Sequence, residues 1–409
     1  MNQAPSAGAA LSGIRIVDLT TVIFGPYATQ TLADYGADVI KIEAPEGDGT
    51  RLNGPAQEAG MGSLFLGVNR NKRSVVLDLK TPAAQEAVAA LTDTADVFIH
   101  NVRPQKLARL GLDADALRAR NPRLIFVGLH GFGEGGPYAG KPAYDDIIQA
   151  LSGATDLVAR KSGQADYFPT VLADKIAGQM AVHAVMAALL QRERTGQGQV
   201  VEVPMFECMT SFLLVEHFYA RHLPRGDGPA TATELGYPRT MDSWRRPYAT
   251  ADGSACLMPY TDQNWRDFFH AIDRHDLAAD ARFATAQQRN RHIGELLPLL
   301  GGIVRQQSTR HWLELCERLQ IPCAPINRLE DLEQDAHLNA VGFFETLTTQ
   351  ATSYRFPRPP VRLSASTQPM YAPPHLGQHT REVLSGLNLA PATLAQLLEP
   401  GAASASGSA

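Results

Sequence analysis

The chain has 409 residues, 44% of them hydrophobic and 19% charged, which is enough to bury a large core and to form about two domains. The formal net charge of -5 is small for this length and gives no reason to expect a nucleic-acid partner. The four cysteines have no paired metal-ligand spacing, and the N-terminus does not resemble a signal peptide. These features predict a cytoplasmic protein without a bound metal.

Apolar segments alternate with helical patterns through the first half of the chain. The predicted strands cover residues 14–19, 38–43, 74–78, 96–99, 124–128 and 199–203. Helices are predicted between them, for example from Thr81-Pro82 through Leu91, where a capping threonine precedes a proline. Strands that are apolar on both faces and alternate with helices are typical of a parallel sheet covered on both sides. The predicted fold class is therefore α/β.

Sheets of this kind bind ligands at the carboxyl ends of their strands. The loops expected to line a site follow Leu19, Glu43, Asp78, His100 and Leu129. A dinucleotide site is the first alternative to test, but the turn after Leu19 reads TTVIFGPYATQ and lacks the G-x-G-x-x-G spacing. NAD is therefore not expected as a cofactor.

Changes in composition divide the chain into segments. A stretch rich in Gly, Pro, Ala and Thr, residues 223–238, predicts an exposed linker. The predicted segments are flexible tails at 1–10 and 399–409, the N-terminal part of a large domain at 11–225, a smaller α+β domain at 226–330, and a connector with a C-terminal part that returns to the large domain at 331–398.

The most apolar predicted helix covers residues 170–195 and is expected to be buried. Its longest uncharged run, residues 176–190, is shorter than the about 20 apolar residues that a membrane span needs, so no membrane association is predicted.

Asp174 lies in the first turn of this helix. It is interpreted either as an ordinary N-cap or as a nucleophilic carboxylate. Free N–H groups and the helix dipole predict that this carboxylate stays ionised.

Two further clusters contain residues able to carry chemistry. The basic loop at residues 69–74, with Asn101, Arg103 and Arg109, either binds phosphate groups or is a solvated surface. The Gly-rich turn at residues 131–137 is followed by Tyr144-Asp145-Asp146. It forms either part of a ligand site or a mobile turn before a helix start.

Several motifs follow one another in a fixed order along the chain. They are LSGIRIVDLT, GADVIKIE, NRNKRSVVLDLK, DVFIHNVRP, NPRLIFVGLHGFGEGGP, AYDDIIQALSG, and VLADKIAG followed by ALLQRERTGQGQVVEVPM. This order closely resembles the family III CoA transferases, which include formyl-CoA:oxalate and L-carnitine CoA-transferases and share their fold with alpha-methylacyl-CoA racemase. The resemblance covers nearly the whole chain, ending with LGQHTREVLSGL.

The resemblance implies a Rossmann-like large domain and an intertwined homodimer that acts on acyl-CoA and small carboxylic acids. It places the family's catalytic aspartate on Asp174, which attacks the acyl-CoA thioester to give an aspartyl anhydride and then an aspartyl-CoA thioester. The implied CoA contacts are Ile23, Phe24, Leu77, Asp78, Leu79, Lys80, Asn101, Val102, Arg103, Arg109, Pro142, Ala143, Tyr144 and Asp145.

Differences from the family's patterns narrow the expected activity. Racemases of this fold have a histidine where this chain has Tyr144, and racemisation needs an acid and a base on opposite faces of the substrate. The formyl-CoA enzyme has other residues in place of Ile23 and Ala44, which argues against oxalate and formate. We expect CoA transfer between carboxylic acids. The alternatives are an acyl-CoA racemase or epimerase, and a nucleotide-type binding protein without turnover.

Three arginines, Arg239, Arg245 and Arg246, follow the predicted linker. Guanidinium groups bind carboxylates in a bidentate way. These residues are therefore interpreted either as contacts for a dicarboxylate acceptor such as succinate or, for at least two of them, as ordinary surface charges.

Overall fold

The structure, a computed structural model, describes residues 8–223, 235–349 and 352–399. These residues form two compact units. The first comprises the described parts of Met1–Gly153, Tyr167–Phe212 and Val341–Ala409, and the second comprises those of Ala154–Asp166 and Leu213–Ala340. Within the described ranges, no helix is both long enough and apolar enough to cross a membrane.

Strands and helices are numbered separately in chain order. The strands are β1 Arg15–Leu19, β2 Asp38–Glu43, β3 Lys72–Val76, β4 Val97–His100, β5 Ile125–His130, β6 Val200–Pro204, β7 Tyr248–Ala249, β8 Ser254–Leu257, β9 Cys323–Pro325, β10 Phe344–Thr348 and β11 Ser353–Pro357. The helices are α1 Phe24–Asp34, α2 Ser63–Val68, α3 Pro82–Asp93, α4 Pro104–Arg109, α5 Ala114–Arg120, α6 Asp145–Ser152, α7 Ala154–Ser162, α8 Leu172–Thr195, α9 Met205–His217, α10 Pro238–Met241, α11 Asp262–Ala271, α12 His275–Ala278, α13 Ala286–Arg291, α14 Ile293–Val304, α15 Thr309–Leu319, α16 Ala336–Ala340, α17 Thr380–Ser385 and α18 Pro391–Leu398.

The first unit is built on a six-stranded sheet with the order β3-β2-β1-β4-β5-β6. Every neighbouring pair is parallel, and β2, β4 and β5 are buried along almost their whole length. This result confirms the predicted α/β class. Because all six strands run in the same direction, their carboxyl ends lie at one edge of the sheet, where doubly wound folds of this strand order bind their ligands.

The C-terminal segment of the chain completes the first unit. Helix α17 packs against β3, and α18 packs against α3. Val383 and Leu384 are buried in the same hydrophobic cluster as Phe98. Two hydrogen bonds of 3.2 Å from the Arg51 guanidinium to the carbonyl oxygen of Pro374 hold the segment that leads to α17.

The second unit has its own core. Its three-stranded sheet has the order β7-β8-β9 with antiparallel pairs, and helices α11, α12, α14 and α15 supply most of a buried aromatic and aliphatic cluster. Phe268 and Trp312 are at its centre, 5.8 Å apart between ring centroids. The indole N–H of Trp312 donates to the carbonyl oxygen of Val304 at 2.7 Å, so the buried ring leaves no unsatisfied donor.

The extents of the two units differ from the predicted segments. The second unit begins at Leu213 inside the continuous helix α9 and includes residues 154–166, because α7 packs against α10. The predicted linker at residues 223–238 lies mostly outside the described residues. In the predicted connector at residues 331–398, β10 and β11 pair as an antiparallel hairpin.

Two expectations about exposure were wrong in part. Ala9, which was assigned to a flexible tail, is buried. It packs against Gly36, where an added Cβ would lie 2.2 Å from the Cβ of Ala9, so only glycine at position 36 leaves room for the Ala9 methyl group. Most of the predicted tails, residues 1–7 and 400–409, lie outside the described residues. Helix α8 is buried on one face only, with Met186 and Leu190 exposed on the other.

Candidate active site

The crevice where the strand order reverses lies between β1 and β4, which are neighbours in the sheet. The side chain of Asn101 closes it by accepting from the backbone N–H of Thr21 at 3.2 Å and donating to its carbonyl oxygen at 2.9 Å. The next residue, Val22, has a φ of 73°, a left-handed conformation that costs a β-branched residue free energy. One strained backbone position therefore lies where a ligand of this sheet is expected.

Helix α8 begins near the same edge and is capped by a residue far away in the sequence. The N-terminal flanking residue, Val171, has no side-chain cap. Instead, one carboxylate oxygen of Asp145 accepts from the backbone N–H groups of Ala173 at 2.7 Å and Asp174 at 3.2 Å. The other accepts from the Gln149 side chain at 2.6 Å. Asp145 therefore satisfies two amides that the first turn of a helix leaves free.

This arrangement corrects the capping interpretation of Asp174. Asp174 is in the first turn of α8 and is buried, with 9% of its surface exposed, but its carboxylate is not the cap. Burial and, to a smaller extent, the negative charge of Asp145 together raise its pKa to about 7. The expectation of a carboxylate firmly ionised by N–H donors and the helix dipole was therefore wrong, since desolvation has the larger effect.

A close helix contact places Asp174 beside the start of α1. Gly178, one turn after Asp174 on the same face of α8, is so near α1 that an added Cβ would lie 3.0 Å from the carbonyl oxygen of Phe24 and 3.1 Å from the ring of Tyr27. Residues four apart share one face of a helix. The carboxylate is thus on the face of α8 that packs against α1, whose first residues follow the crevice loop.

The segment before α6 is held against the end of β5. A Cβ at Gly131 would lie 2.3 Å from that of Ala143, so only glycine allows this approach. The Gly-rich turn itself is anchored, because the N–H of Gly133 donates to Glu207 at 3.0 Å and that of Glu134 to Glu202 at 2.6 Å. Interpreting the turn merely as a mobile connection was wrong; it positions the segment that carries Asp145.

The residues implied as CoA contacts divide by exposure. The buried ones are Ile23, Phe24, Leu77 and Asp145; the half-buried ones are Asp78, Leu79, Asn101, Val102 and Ala143; the exposed ones are Lys80, Arg103, Arg109, Pro142 and Tyr144. Leu77 packs in the hydrophobic core of the first unit, and Asp145 is the cap of α8. The exposed cations have no ion-pair partner among the described residues.

The basic loop at residues 69–74 is neither a phosphate site nor a solvated surface. Lys72 is fully buried and paired with Asp18 at 3.2 Å, and Arg70 is buried and paired with Asp34 at 2.5 Å. Arg73 pairs with Asp38 at 2.6 Å. Buried charges require such partners. The positive charges of this loop therefore pair with acids inside the protein, and both interpretations of the loop, as a phosphate site and as a solvated surface, were wrong.

One buried residue at the sheet edge was not singled out from the sequence. His100, the last residue of β4, is buried with its Nε2 atom unpaired, while its Nδ1 atom lies 3.1 Å from the carbonyl oxygen of Val102. Burial lowers its pKa to about 3, and the nearby His130 contributes. The only feature of the sequence that could have singled out His100 was its position at the end of an apolar strand. No group of three or more potential metal ligands occurs in the described parts of the chain.

Comparison with known proteins identifies an enzyme that transfers CoA. The sequence profile described as CoA-transferase family III matches residues 11–380, and the chain belongs to this family.

It is similar to the succinate–glutarate CoA-transferase of Agrobacterium fabrum, with 35% identity over 95% of this chain and 98% of that protein. It is also similar to the succinyl-CoA:mesaconate CoA-transferase of Haloarcula hispanica, with 32% identity over 81% of this chain and 83% of that protein. The crystal structure of a CaiB/BaiF family protein from Brucella suis matches with a TM-score of 0.78 and 31% identity, covering 93% of this chain and 100% of that one.

Proposed function

We propose that this enzyme moves CoA from an acyl-CoA thioester to a free carboxylic acid, with a dicarboxylate among its substrates, and that Asp174 is the nucleophile. The observation that carries the proposal is the buried carboxylate of Asp174 beside the start of α1 at the sheet's carboxyl edge. The names of the similar proteins, which pair succinate or its CoA ester with glutarate or mesaconate, support dicarboxylates as the class of substrate.

In the proposed reaction, a carboxylate oxygen of Asp174 attacks the thioester carbonyl carbon. The C–S bond breaks, and a mixed anhydride and the CoA thiolate result. The thiolate then attacks the aspartyl carbonyl carbon of the anhydride, which releases the donor acid and leaves an aspartyl-CoA thioester. The acceptor carboxylate reverses both steps, so the acceptor leaves as its CoA ester and Asp174 is regenerated. Covalent catalysis of this kind divides one difficult transfer into easier ones.

The environment of Asp174 suits this role in two ways. A carboxylate with a raised pKa is more basic, and its attack on a carbonyl carbon is correspondingly stronger. In addition, the burial that raises the pKa would limit the access of water to the anhydride, which water would otherwise hydrolyse. With a pKa of about 7, a substantial fraction of Asp174 is ionised at neutral pH.

The CoA moiety is proposed to lie along the carboxyl edge of the sheet. Lys80 follows β3, Arg103 directly precedes α4, and Arg109 is the last residue of α4, which follows β4. Their exposed positive charges suit the phosphate groups of CoA. The backbone of Ile23 and Phe24, at the start of α1, and the side chain of Asn101 line the crevice through which the pantetheine arm reaches Asp174.

The assembly is also part of the proposal. We propose a Rossmann-like first unit in an intertwined homodimer, as the family resemblance implies. Apolar side chains on the outer faces of α8 and α9 suit such an interface: Met186 is 41%, Leu190 57%, Phe212 49% and Val215 75% exposed. Covering them in a partner would remove this apolar area from water. Four free thiols fit the proposed cytoplasmic location.

The nucleophile is tested by mass spectrometry of the intact protein. Incubation with an acyl-CoA should give a CoA-sized adduct, which disappears in Asp174→Ala. Steady-state transfer should fall by more than about 10³-fold in that variant. Asp146→Asn is the matched control, because Asp146 is an exposed acid in the neighbouring helix start. An adduct in Asp174→Ala, or none in the wild type across a range of acyl-CoAs, would exclude Asp174 as the nucleophile.

A further inference from the structure

A layer of charged side chains lies between the sheet and helix α1. Asp18, Lys41 and Lys72 are fully buried in this layer, and Asp48 is 2% exposed. Lys72 pairs with Asp18 at 3.2 Å and Lys41 pairs with Asp48 at 2.9 Å, while the hydroxyl of Thr29 in α1 donates to Asp18 at 2.6 Å. Buried ion pairs seldom stabilise a fold more than apolar packing would, so the layer points to a role in positioning.

Both lysines donate to the backbone around the crevice loop, residues 20–23, which joins β1 to α1. The Nζ atom of Lys41 donates to the carbonyl oxygen of Thr20 at 2.8 Å. The Nζ atom of Lys72 donates to the carbonyl oxygen of Pro26 in the first turn of α1 at 3.0 Å. The first residue of the loop and the helix that follows it are therefore each bonded to a buried ammonium group.

Asp48 adds a second contact between this layer and the crevice loop. Its Oδ1 atom accepts from the backbone N–H of Thr50 at 3.0 Å and from the Thr50 hydroxyl at 2.8 Å, which fixes the carboxylate. The same oxygen accepts from the N–H of Val22 at 3.4 Å, and Val22 is the residue with a φ of 73°. Lys41 and Asp48 together thus hold the loop on both sides of Thr21.

The bond from Lys41 to the loop is a strong one, because its donor is charged. Burial acts to lower the pKa of Lys41, but the charges of Asp18 and Asp48 outweigh this effect and hold the pKa above its ordinary value. A hydrogen bond from a charged donor is roughly twice as strong as one between neutral groups. This bond therefore opposes relaxation of the left-handed conformation at Val22, which costs free energy.

We propose that Lys41, together with Asp48, is a positioning residue that holds the crevice loop in the conformation that binds the pantetheine arm of CoA. Both side chains are buried, so they act through the backbone of the loop. The inference rests on the proposed function, which places the pantetheine arm along this loop. When only a fraction of the molecules have the correct loop conformation, the apparent Kd rises by the inverse of that fraction, but a molecule that has bound reacts at the usual rate.

The first test replaces the ion pair by neutral side chains of similar size, in Lys41→Met combined with Asp48→Asn. An asparagine oxygen can still accept from Thr50, and the two charges of the pair are removed together. The KM values for acyl-CoA and for acyl-pantetheine should both rise about tenfold, the loss expected for a hydrogen bond to a charged group. Adduct formation at a saturating concentration of the thioester should keep its rate, which a general structural defect would not allow.

The matched control neutralises the other buried ion pair that involves α1, in Arg70→Met combined with Asp34→Asn. This pair has a distance of 2.5 Å and includes the last residue of α1. Arg70 donates to Asp34 and to the carbonyl oxygen of Pro357, neither of which is in the crevice loop. The control should lower stability and leave both KM values unchanged. A rise in KM equal to that of the Lys41 variant would overturn the inference.

Asp48→Asn alone is a milder variant for the case in which the combined change prevents folding. It leaves Lys41 opposite Asp18 in the neighbouring strand and should raise both KM values about threefold, since one of the two contacts with the loop is weakened. Thermal unfolding and near-UV circular dichroism establish which variants are folded. Unchanged KM values in the folded variants of this pair would overturn the inference.

Calorimetry separates this inference from the proposed function. Free CoA is titrated into the full-length wild type and into the combined Lys41 and Asp48 variant, in which binding should be about tenfold weaker. Weaker binding in the variant without any Asp174 adduct in the wild type would support the positioning role and overturn the proposed nucleophile. An adduct in the wild type with equal CoA binding in both proteins would overturn the positioning role alone. A wild type that does not bind CoA would overturn both.

Discussion

The carboxylate of Asp145 accepts a hydrogen bond from the backbone N–H of Asp174 at 3.2 Å. Asp145 therefore has two effects on Asp174, one on its position and one on its pKa. Asp145 caps the helix that carries Asp174 and fixes its position. Its negative charge also adds to the effect of burial and raises the pKa of Asp174 to about 7. The proposed nucleophile is thus a desolvated carboxylate whose charge state changes near neutral pH.

Formation of the aspartyl adduct should depend on pH with a midpoint near 7. Only the ionised form of Asp174 attacks, so the rate with a saturating acyl-CoA should rise about tenfold per pH unit below the midpoint and level off above it. Stopped-flow or quenched-flow measurement of adduct formation between pH 5 and 9 gives the midpoint. A profile that is flat down to pH 5 would contradict the raised pKa.

Asp145→Asn provides the control for that profile. Its side-chain oxygen can still cap α8, but the negative charge near Asp174 is gone, so the midpoint should move to lower pH. Burial, the larger cause, remains, and the midpoint should therefore stay above that of an exposed aspartate. Asp146→Asn should leave the midpoint where it is.

Replacing Asp174 by asparagine should stabilise the protein above pH 7. The folded-state pKa of about 7 exceeds the ordinary aspartate value of 3.8, which the unfolded chain retains, so between these pH values the folded chain holds more protons than the unfolded chain. The free energy of unfolding then falls as the pH rises through this window. Asp174→Asn lacks this loss and should be more stable at pH 8 by on the order of 2–4 kcal/mol.

Urea unfolding of both proteins at pH 4 and pH 8 tests this prediction. The difference should be small at pH 4, where Asp174 is largely protonated in the folded state, and should grow towards pH 8. A variant less stable than the wild type at pH 8 would show that the carboxylate has compensating partners.

The contact between Gly131 and Ala143 should prove necessary for activity. In Gly131→Ala, the new Cβ would lie 2.3 Å from that of Ala143 and would push away the segment that leads to Asp145. We expect a loss of about 1–3 kcal/mol in stability and slower adduct formation. The double variant Gly131→Ala with Ala143→Gly removes the clashing atom and should recover both. Failure of the second change to rescue would mean that the first acts elsewhere.

The exposed cations at the sheet edge should act on the nucleotide part of CoA. Lys80→Gln, Arg103→Gln and Arg109→Gln should each raise the KM for acyl-CoA by about three- to tenfold, more at low ionic strength. The same variants assayed with an acyl-pantetheine, which has no nucleotide phosphates, should match the wild type. An equal effect on both thioesters would show that these residues do not bind the phosphates.

Much of the α/β organisation could be predicted from local patterns. Strands such as β2, Asp38–Glu43, coincide with their predicted ranges, because apolar runs between turn signals identify buried strands. Helix starts were predicted equally well where the cap is adjacent, as at Thr81, whose hydroxyl accepts from the N–H of Ala84 at 3.3 Å. The order of motifs was also sufficient to indicate the family that the comparisons identify.

Contacts between distant parts of the chain could not be predicted in this way. The basic loop at residues 69–74 has the composition of a surface loop. The acids that pair with the buried Lys72 and Arg70 lie in β1 and α1, far away in the sequence. The hairpin of β10 and β11 was missed because a proline-rich sequence resembles an extended connector, whereas Pro357 is only the last residue of its strand.

The sequence by itself determined which segments are strands and helices, that the sheet is parallel, and which aspartate heads the long helix, because these depend on patterns within a few residues. The tertiary structure alone decided that β1 lies beside β4, that Asp145 rather than Asp174 caps α8, and that the pKa of Asp174 is raised. These properties arise from burial and from hydrogen bonds between residues far apart in the chain, and such contacts exist only once the chain has folded.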